Sequence, residues 1–207
     1  MIKAEHSRFH IWISILYTKI FLGLFFRNIR YIGEADQNKN LPVLMIANHF
    51  SWWDGFFQIL LNEKSFKKRY HFMMLEEELR KNPILRKIGA SSIEKGSRSA
   101  FDSLKYLVEV IQKPENLFLF FPQGKIQSIY TEDFKFEKGA LNYVQKKATN
   151  EFQFVFNVNL IDYSAFKRPE LSIYFKTHTI SKDTTVDEIE RDYNLFVKKC
   201  KEKQRGE

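Results

Sequence analysis

The chain has 207 residues, enough for a single domain with a substantial buried core. Aromatic residues make up 16% of it, 21 of them Phe, which excludes a disordered chain and calls for extensive apolar burial, some of it against lipid. The net charge of +8 points to an anionic partner, and because Lys and Arg are scattered with no basic helix or nucleic-acid motif, a phospholipid surface is expected rather than nucleic acid.

Residues 11–26 are almost all apolar, interrupted by Ser14, Thr18 and Lys19. At 1.5 Å per residue this run falls short of the ~20 residues needed to cross a bilayer. No small-residue cleavage site follows, and Arg27 and Arg30 come directly after, so a removable signal is not expected. Two readings stay open: a core helix, or an interfacial helix that inserts Trp12, Phe21, Phe25 and Phe26 into a membrane surface. The basic residues Lys3, Arg8, Lys19, Arg27 and Arg30 favour the second. The chain thus divides into an N-terminal interfacial helix, 1–27, and a main domain, 28–207.

A short strand at 28–33 and a polar loop at 34–40 lead to the apolar run 42–47, which reads as a buried strand. The stretch Ala47-Asn48-His49-Phe50-Ser51-Trp52-Trp53-Asp54 follows, and 55–61 reads as the buried face of a helix. Ser51 and Asp54 have the S-x-x-D spacing of a capping box, which would make Ser51 the helix N-cap. His49 then sits at the strand end. A carboxylate beside an imidazole fixes its tautomer and stabilises the imidazolium formed when His takes a proton, so the stretch offers a general base with its orienting acid. Chance alone would supply a His-x4-Asp pair in such a chain ~0.2 times, so the spacing needs its context.

Further on, 64–69 is a basic connection, 70–75 a strand, and 76–86 a helix broken at Pro83. A short strand at 91–94 precedes Lys95-Gly96-Ser97-Arg98-Ser99. The helix expected over 99–112 carries Phe101, Leu104, Leu107, Val108 and Ile111 at helical period. Residues 116–121 form a second apolar strand ending in Pro122-Gln123-Gly124-Lys125. A helix at 140–147, strands at 152–161 and 171–177, and a charged helix at 187–203 complete the chain. The single cysteine, Cys200, excludes an internal disulfide, fits a reducing compartment, and reads as a packing or surface residue. His6, His10, His71 and His178 have no partner spacing, and no metal-ligand cluster is expected. The alternation of strands and helices predicts an α/β domain with a largely parallel central sheet flanked by helices, its site outside the carboxyl ends of the strands, near His49 and Gly124.

Four stretches in this order resemble the glycerolipid acyltransferases, the family of lysophosphatidate acyltransferase. Asn48 to Asp54 is similar to that family's Asn-His-x-Ser-x-x-Asp motif, and Phe121-Pro122-Gln123-Gly124 to its Phe-Pro-Glu-Gly motif. Residues 89–98 resemble its second motif, a Gly, a short strand and a basic residue. Phe134-Lys135-Phe136-Glu137-Lys138-Gly139-Ala140 resembles its Phe-Lys-x-Gly-Ala segment. The resemblance covers about residues 28–175. It implies that His49 is the base on an acceptor hydroxyl and Asp54 its orienter, with no resident cofactor or metal. The hydroxyl attacks an acyl thioester, on coenzyme A or acyl carrier protein, and backbone N–H groups around Gly124 hold the oxyanion. The implied substrate-binding residues are Asn48, Ser51, Lys95, Arg98, Gln123 and Lys125. The implied partners are membrane phospholipids, the thioester donor and a lipid acceptor, and the implied location is the cytoplasmic face of the inner membrane, peripheral or monotopic.

The departures bear on the acceptor. Gln123 stands where the family has Glu, Lys125-Ile126 where it has Thr-Arg or Ser-Arg, and Lys95 in place of an Arg, with Arg98 three residues on. Lys is a point charge where Arg makes a bidentate fork to phosphate, so an acceptor other than lysophosphatidate, such as an aminolipid, is expected. The alternatives are a hydrolase, in which the same pair activates water, and a lipid-binding protein that lost activity.

Overall fold

The computed structural model describes residues 1–34, 40–94, 96–97, 99–178, 180 and 183–206. Among these residues the strands are β1 (Asn28–Ile32), β2 (Val43–Ala47), β3 (Arg69–Leu75), β4 (Ala90–Ile93), β5 (Asn116–Phe120), β6 (Gln153–Asp162) and β7 (Glu170–His178). They form one sheet in the order β1-β7-β6-β2-β5-β3-β4. Every neighbouring pair is parallel except β6 and β7, so β1 and β7 run opposite to the other five. The helices are α1 (Arg8–Phe25), α2 (Asp54–Leu61), α3 (Glu76–Lys81), α4 (Ser99–Val110), α5 (Lys138–Lys147) and α6 (Val186–Arg205). The largely parallel α/β sheet expected from the sequence is present.

The central strand β2 is buried at all five positions, which is why it reads as an unbroken apolar run. Alternation sends Leu44 and Ile46 into one core layer, with Phe118, Phe154, Phe156 and the apolar faces of α4, α5 and α6. Val43, Met45 and Ala47 go to the other layer, with Leu117, Leu119, Val155, α1 and α2. Pro83 ends the expected helix as anticipated: α3 stops at Lys81, and a 3-10 turn, Pro83–Lys87, follows.

The N-terminal helix is built inside out. Its buried stripe is Ser14, Thr18 and Leu22, with Ile11 and Ile15 packed alongside. The two hydroxyls are satisfied by the helix itself, Ser14 Oγ donating to the Ile11 carbonyl at 2.8 Å and Thr18 Oγ1 to that of Ser14 at 2.6 Å. Facing outward are Phe9, Trp12, Ile13, Leu16, Tyr17, Ile20, Leu24 and Phe25. Thus the small polar residues that seemed to interrupt the apolar run are the ones facing the domain. Two of the four aromatics expected at the lipid surface also turn inward: Phe21 stacks on Trp53 with ring centroids 3.9 Å apart, and Phe26 meets Phe57 edge-on. Its 18 residues make α1 long and apolar enough to span a membrane by length and composition alone, slightly beyond the sequence-based expectation.

Cys200 lies on the inner face of α6 at 3% exposure, and burial pushes its thiol pKa up to about 12. Each pKa unit removes tenfold of thiolate, so a thiol reagent at pH 8 should modify Cys200 on the order of 10³-fold more slowly in the folded protein than in urea. Timed labelling followed by mass spectrometry reads this directly; equal rates would place Cys200 at the surface.

Candidate active site

The site is assembled where β2 and β5 end, at their carboxyl ends. β2 stops at Ala47, and within seven residues the chain must turn and start α2. Asp54, the first residue of α2, is wholly buried and organises that turn. Its Oδ2 accepts from the Phe50 N–H at 2.7 Å and the Ser51 N–H at 2.9 Å, and lies 2.8 Å from His49 Nδ1. Its Oδ1 accepts from Ser51 Oγ at 2.9 Å. A carboxylate only accepts, so the His49 proton sits on Nδ1, and the neutral ring presents Nε2 as a base. The ring stacks on Phe121, centroids 4.1 Å apart and planes 15° apart, and keeps 22% side-chain exposure. His49 is therefore oriented by a buried charge and held flat against an apolar wall while one edge stays open.

The capping box expected for Ser51 is half present. Asp54 reaches back to the Ser51 N–H, but Ser51 Oγ accepts from Trp53 N at 3.1 Å, and α2 begins after Trp53, which makes no side-chain cap. Having given its proton to Asp54, the Ser51 hydroxyl reaches the nearer amide, and the helix starts later than the spacing suggests.

Asn48 and Gln123 sit beside the pair with their polar groups engaged. Asn48 bonds the β6 backbone twice, Nδ2 to the Asn159 carbonyl at 2.9 Å and Oδ1 from the Asn159 N–H at 2.8 Å. Gln123 is 3% exposed; its Oε1 accepts from the His49 N–H at 2.8 Å and its Nε2 donates to Gln127 Oε1 at 2.9 Å. The Gln127 N–H closes the link by donating to the His49 carbonyl at 2.9 Å. Gly124 has φ +66 and donates its own N–H to the Phe121 carbonyl within the turn. Lys125 is exposed on the same turn. Lys95 and Arg98 lie outside the described residues.

Two further residues come to the site from far along the chain. The Glu137 carboxylate lies against Gly124, where any Cβ would collide with it. Asn159 is wholly buried next to Asn48 with neither side-chain atom hydrogen bonded. Sequence spacing could not find either: Asn159 comes to the site on β6, and Glu137 on the loop before α5, its N–H donating to the Pro122 carbonyl at 2.7 Å. Nearby, burial and then the Asp54 charge hold the Tyr70 phenol well above its ordinary pKa, and its hydroxyl donates to the Gly55 carbonyl at 2.9 Å.

A family model described as Acyltransferase matches residues 28–156, more than half of the chain. The structure is similar to the crystal structure of the 1-acyl-sn-glycerophosphate (LPA) acyltransferase, PlsC, from Thermotoga maritima, with a TM-score of 0.57 and 16% identity over 95% of this chain and 80% of that one. No curated protein matches.

The asymmetry of the pair predicts unequal costs. Asp54→Ala strands four donors around a buried position and should cost about 3 kcal/mol or more, whereas His49→Ala removes one partly exposed ring and should cost about 1 kcal/mol. Urea unfolding of both variants checks this; equal losses would mean that Asp54 does not organise the loop.

Proposed function

The chain belongs to the acyltransferase family, and we propose that it moves a fatty acyl group from an acyl thioester to a hydroxyl of a lysophospholipid or related lipid. The observation that carries this reading is the His49–Asp54 pair, a base oriented by a fully buried carboxylate at the mouth of a parallel sheet. His49 Nε2 takes the proton of the acceptor hydroxyl as its oxygen attacks the thioester carbonyl. The imidazolium is stabilised by Asp54. Backbone N–H groups of the turn around Gly124 meet the oxyanion; Gly124's own is already used in the turn, so the donors fall to its neighbours. Collapse breaks the C–S bond, and the departing thiolate takes the proton from His49. Acyl-CoA or acyl carrier protein is a co-substrate, with no resident cofactor in the scheme.

The outward face of α1 supports a membrane-surface location, and the charge of +8 suits the anionic lipids of a cytoplasmic leaflet. The exposed Trp52 continues that face to the edge of the His49 loop, so an acceptor lying in the bilayer surface is within reach of the site. The replacements at 95, 123 and 125–126 support an acceptor head group less demanding than a phosphate monoester.

Pure protein incubated with labelled acyl thioester, with and without a panel of lysolipids, tests the reading. Transfer to lipid is expected, faster to neutral or amine-bearing lysolipids than to lysophosphatidate, and His49→Ala should lower it by ~10²–10⁴. Release of free acid would make the protein a hydrolase, and neither product a binding protein. A His49→Ala variant with near-normal turnover would end the catalytic assignment.

The membrane face is tested without deleting α1, whose Leu22 belongs to the core. The triple substitution Trp12→Ser, Leu16→Ser, Leu24→Ser should leave thermal stability nearly unchanged and weaken sedimentation with anionic vesicles at least ~10-fold. Unaltered binding would move the membrane face elsewhere.

A further inference from the structure

The exposed apolar face of α1 does not end with the helix. The loop 163–169, which joins β6 to β7, is fastened to the last turn of α1. Arg168 Nη1 donates to the Gly23 carbonyl at 3.1 Å, one of the carbonyls left over at a helix end, and puts a positive charge where the helix dipole favours it. The Arg27 N–H donates to the Pro169 carbonyl at 2.8 Å. The Arg27 guanidinium lies 3.4 Å from the centre of the Phe166 ring, and its Nη1 is 3.7 Å from Glu170 Oε1.

Held in this way, the loop turns apolar rings to solvent. Tyr163 is 61% exposed and Phe166 48%, beside Leu24 at 66% and Phe25 at 55% on α1. Large apolar groups gathered in one uncovered patch cost free energy in water. The charges around them leave a positive remainder. Asp162 accepts from the Ser164 N–H at 2.9 Å inside the turn, Glu170 faces Arg27, and Lys167 is exposed with no ion pair among the described residues. Aromatic rings flanked by Lys and Arg suit a membrane interface, whose head groups carry negative charge. The hairpin also projects. β2 ends at Ala47, whose partner on β6 is Asn157, and β6 runs on to Asp162. At ~3.3 Å per residue the hairpin stands roughly 16 Å past the end of β2, at the end of the sheet where His49 lies.

We propose that the tip of the β6–β7 hairpin is a second membrane contact, with Tyr163 and Phe166 entering the head-group region and Lys167 meeting anionic lipid. This rests on the membrane-surface reading of α1 and adds what that helix alone lacks. A helix lying in a bilayer surface is free to tilt and to roll about its axis. The hairpin is carried by the sheet on which α1 packs, so its contact lies off that axis and limits both motions. A plane that touches the end of α1 and the hairpin tip turns the carboxyl ends of β2 and β5 towards the lipid. The His49 loop is then presented to the bilayer rather than to bulk water.

Cys200 is the single cysteine and is buried, so Tyr163→Cys, Trp12→Cys and Lys146→Cys can each be labelled in the folded full-length protein with a polarity-sensitive fluorophore. The labels are then quenched by iodide in water or by doxyl lipid in mixed phosphatidylcholine and phosphatidylglycerol vesicles. On vesicles the labels at 12 and 163 should become shielded from iodide and quenched by the lipid, while that at 146, exposed on α5, stays in water. Tyr163→Ser with Lys167→Gln removes side chains that hold none of the contacts to α1 described above. This double variant should keep its thermal midpoint and sediment with the same vesicles at least ~10-fold more weakly. A label at 163 that stays in water while that at 12 enters lipid overturns this proposal and leaves the reading of α1 standing; labels at both positions that stay in water overturn both. Shielding at 163 that rises with protein concentration in the absence of vesicles makes the tip an interface between copies of the chain and overturns the proposal, as does unchanged sedimentation of the double variant.

Discussion

A fully buried carboxylate is the constraint on which the rest of the site depends. Removing Asp54 from water would be prohibitive without compensation, and the loop supplies it: two backbone amides, a hydroxyl and an imidazole N–H converge on its two oxygens. The same bonds that make the charge tolerable hold His49 in one tautomer and one orientation. Burial of the charge and orientation of the imidazole thus rest on the same set of contacts. The loop is short because the carboxylate at the start of α2 pulls the preceding backbone around itself. Trp53, the residue before the helix, is thereby fixed against Phe21 of α1.

The second strand end is tied to the first through a neutral amide. Gln123 accepts from the His49 N–H with one atom and donates to Gln127 with the other. A carboxylate at this position could accept from His49 but could not donate to Gln127, so an amide matches the partners this chain provides. Together with the Gln127-to-His49 backbone bond, this makes the ends of β2 and β5 one unit. The Phe121 ring, at the end of β5, then lies flat against the imidazole and excludes water from one of its faces.

What could be read from the sequence was whatever has a local cause. The apolar runs of β2 and β5 are strands buried on both faces, and the period of α4 is that of a helix on a sheet; both were recognisable because their burial repeats along the chain. The His-x4-Asp pair was legible because its partners lie on one turn. The reversal of β7 against β6 was not, since an apolar strand carries no mark of its direction. Nor were the places of Glu137 and Asn159 at the site, the first brought there by the loop before α5 and the second by β6. The start of α2 differs from what the Ser51–Asp54 spacing predicts because the Ser51 hydroxyl accepts from the Trp53 N–H, a choice that spacing cannot foretell.

The helix α1 shows why composition alone left two readings of the N-terminus open. An ordinary surface helix buries its large apolar residues and exposes small polar ones; α1 does much of the reverse, with Ser14 and Thr18 inward and Trp12, Leu16 and Leu24 outward. Small residues on the inner stripe let the helix approach α2 closely, and their hydroxyls, bonded to carbonyls of their own helix, ask nothing of the domain. The large side chains are then left on a face that no part of the described chain covers, an arrangement that costs free energy in water and gains it against hydrocarbon. Because Phe21 stacks on Trp53, this face is held at a set distance and angle from the His49 loop. If, as proposed, His49 takes the proton of a lipid hydroxyl, the Phe21–Trp53 and Phe26–Phe57 contacts set how an acceptor in the bilayer surface approaches it.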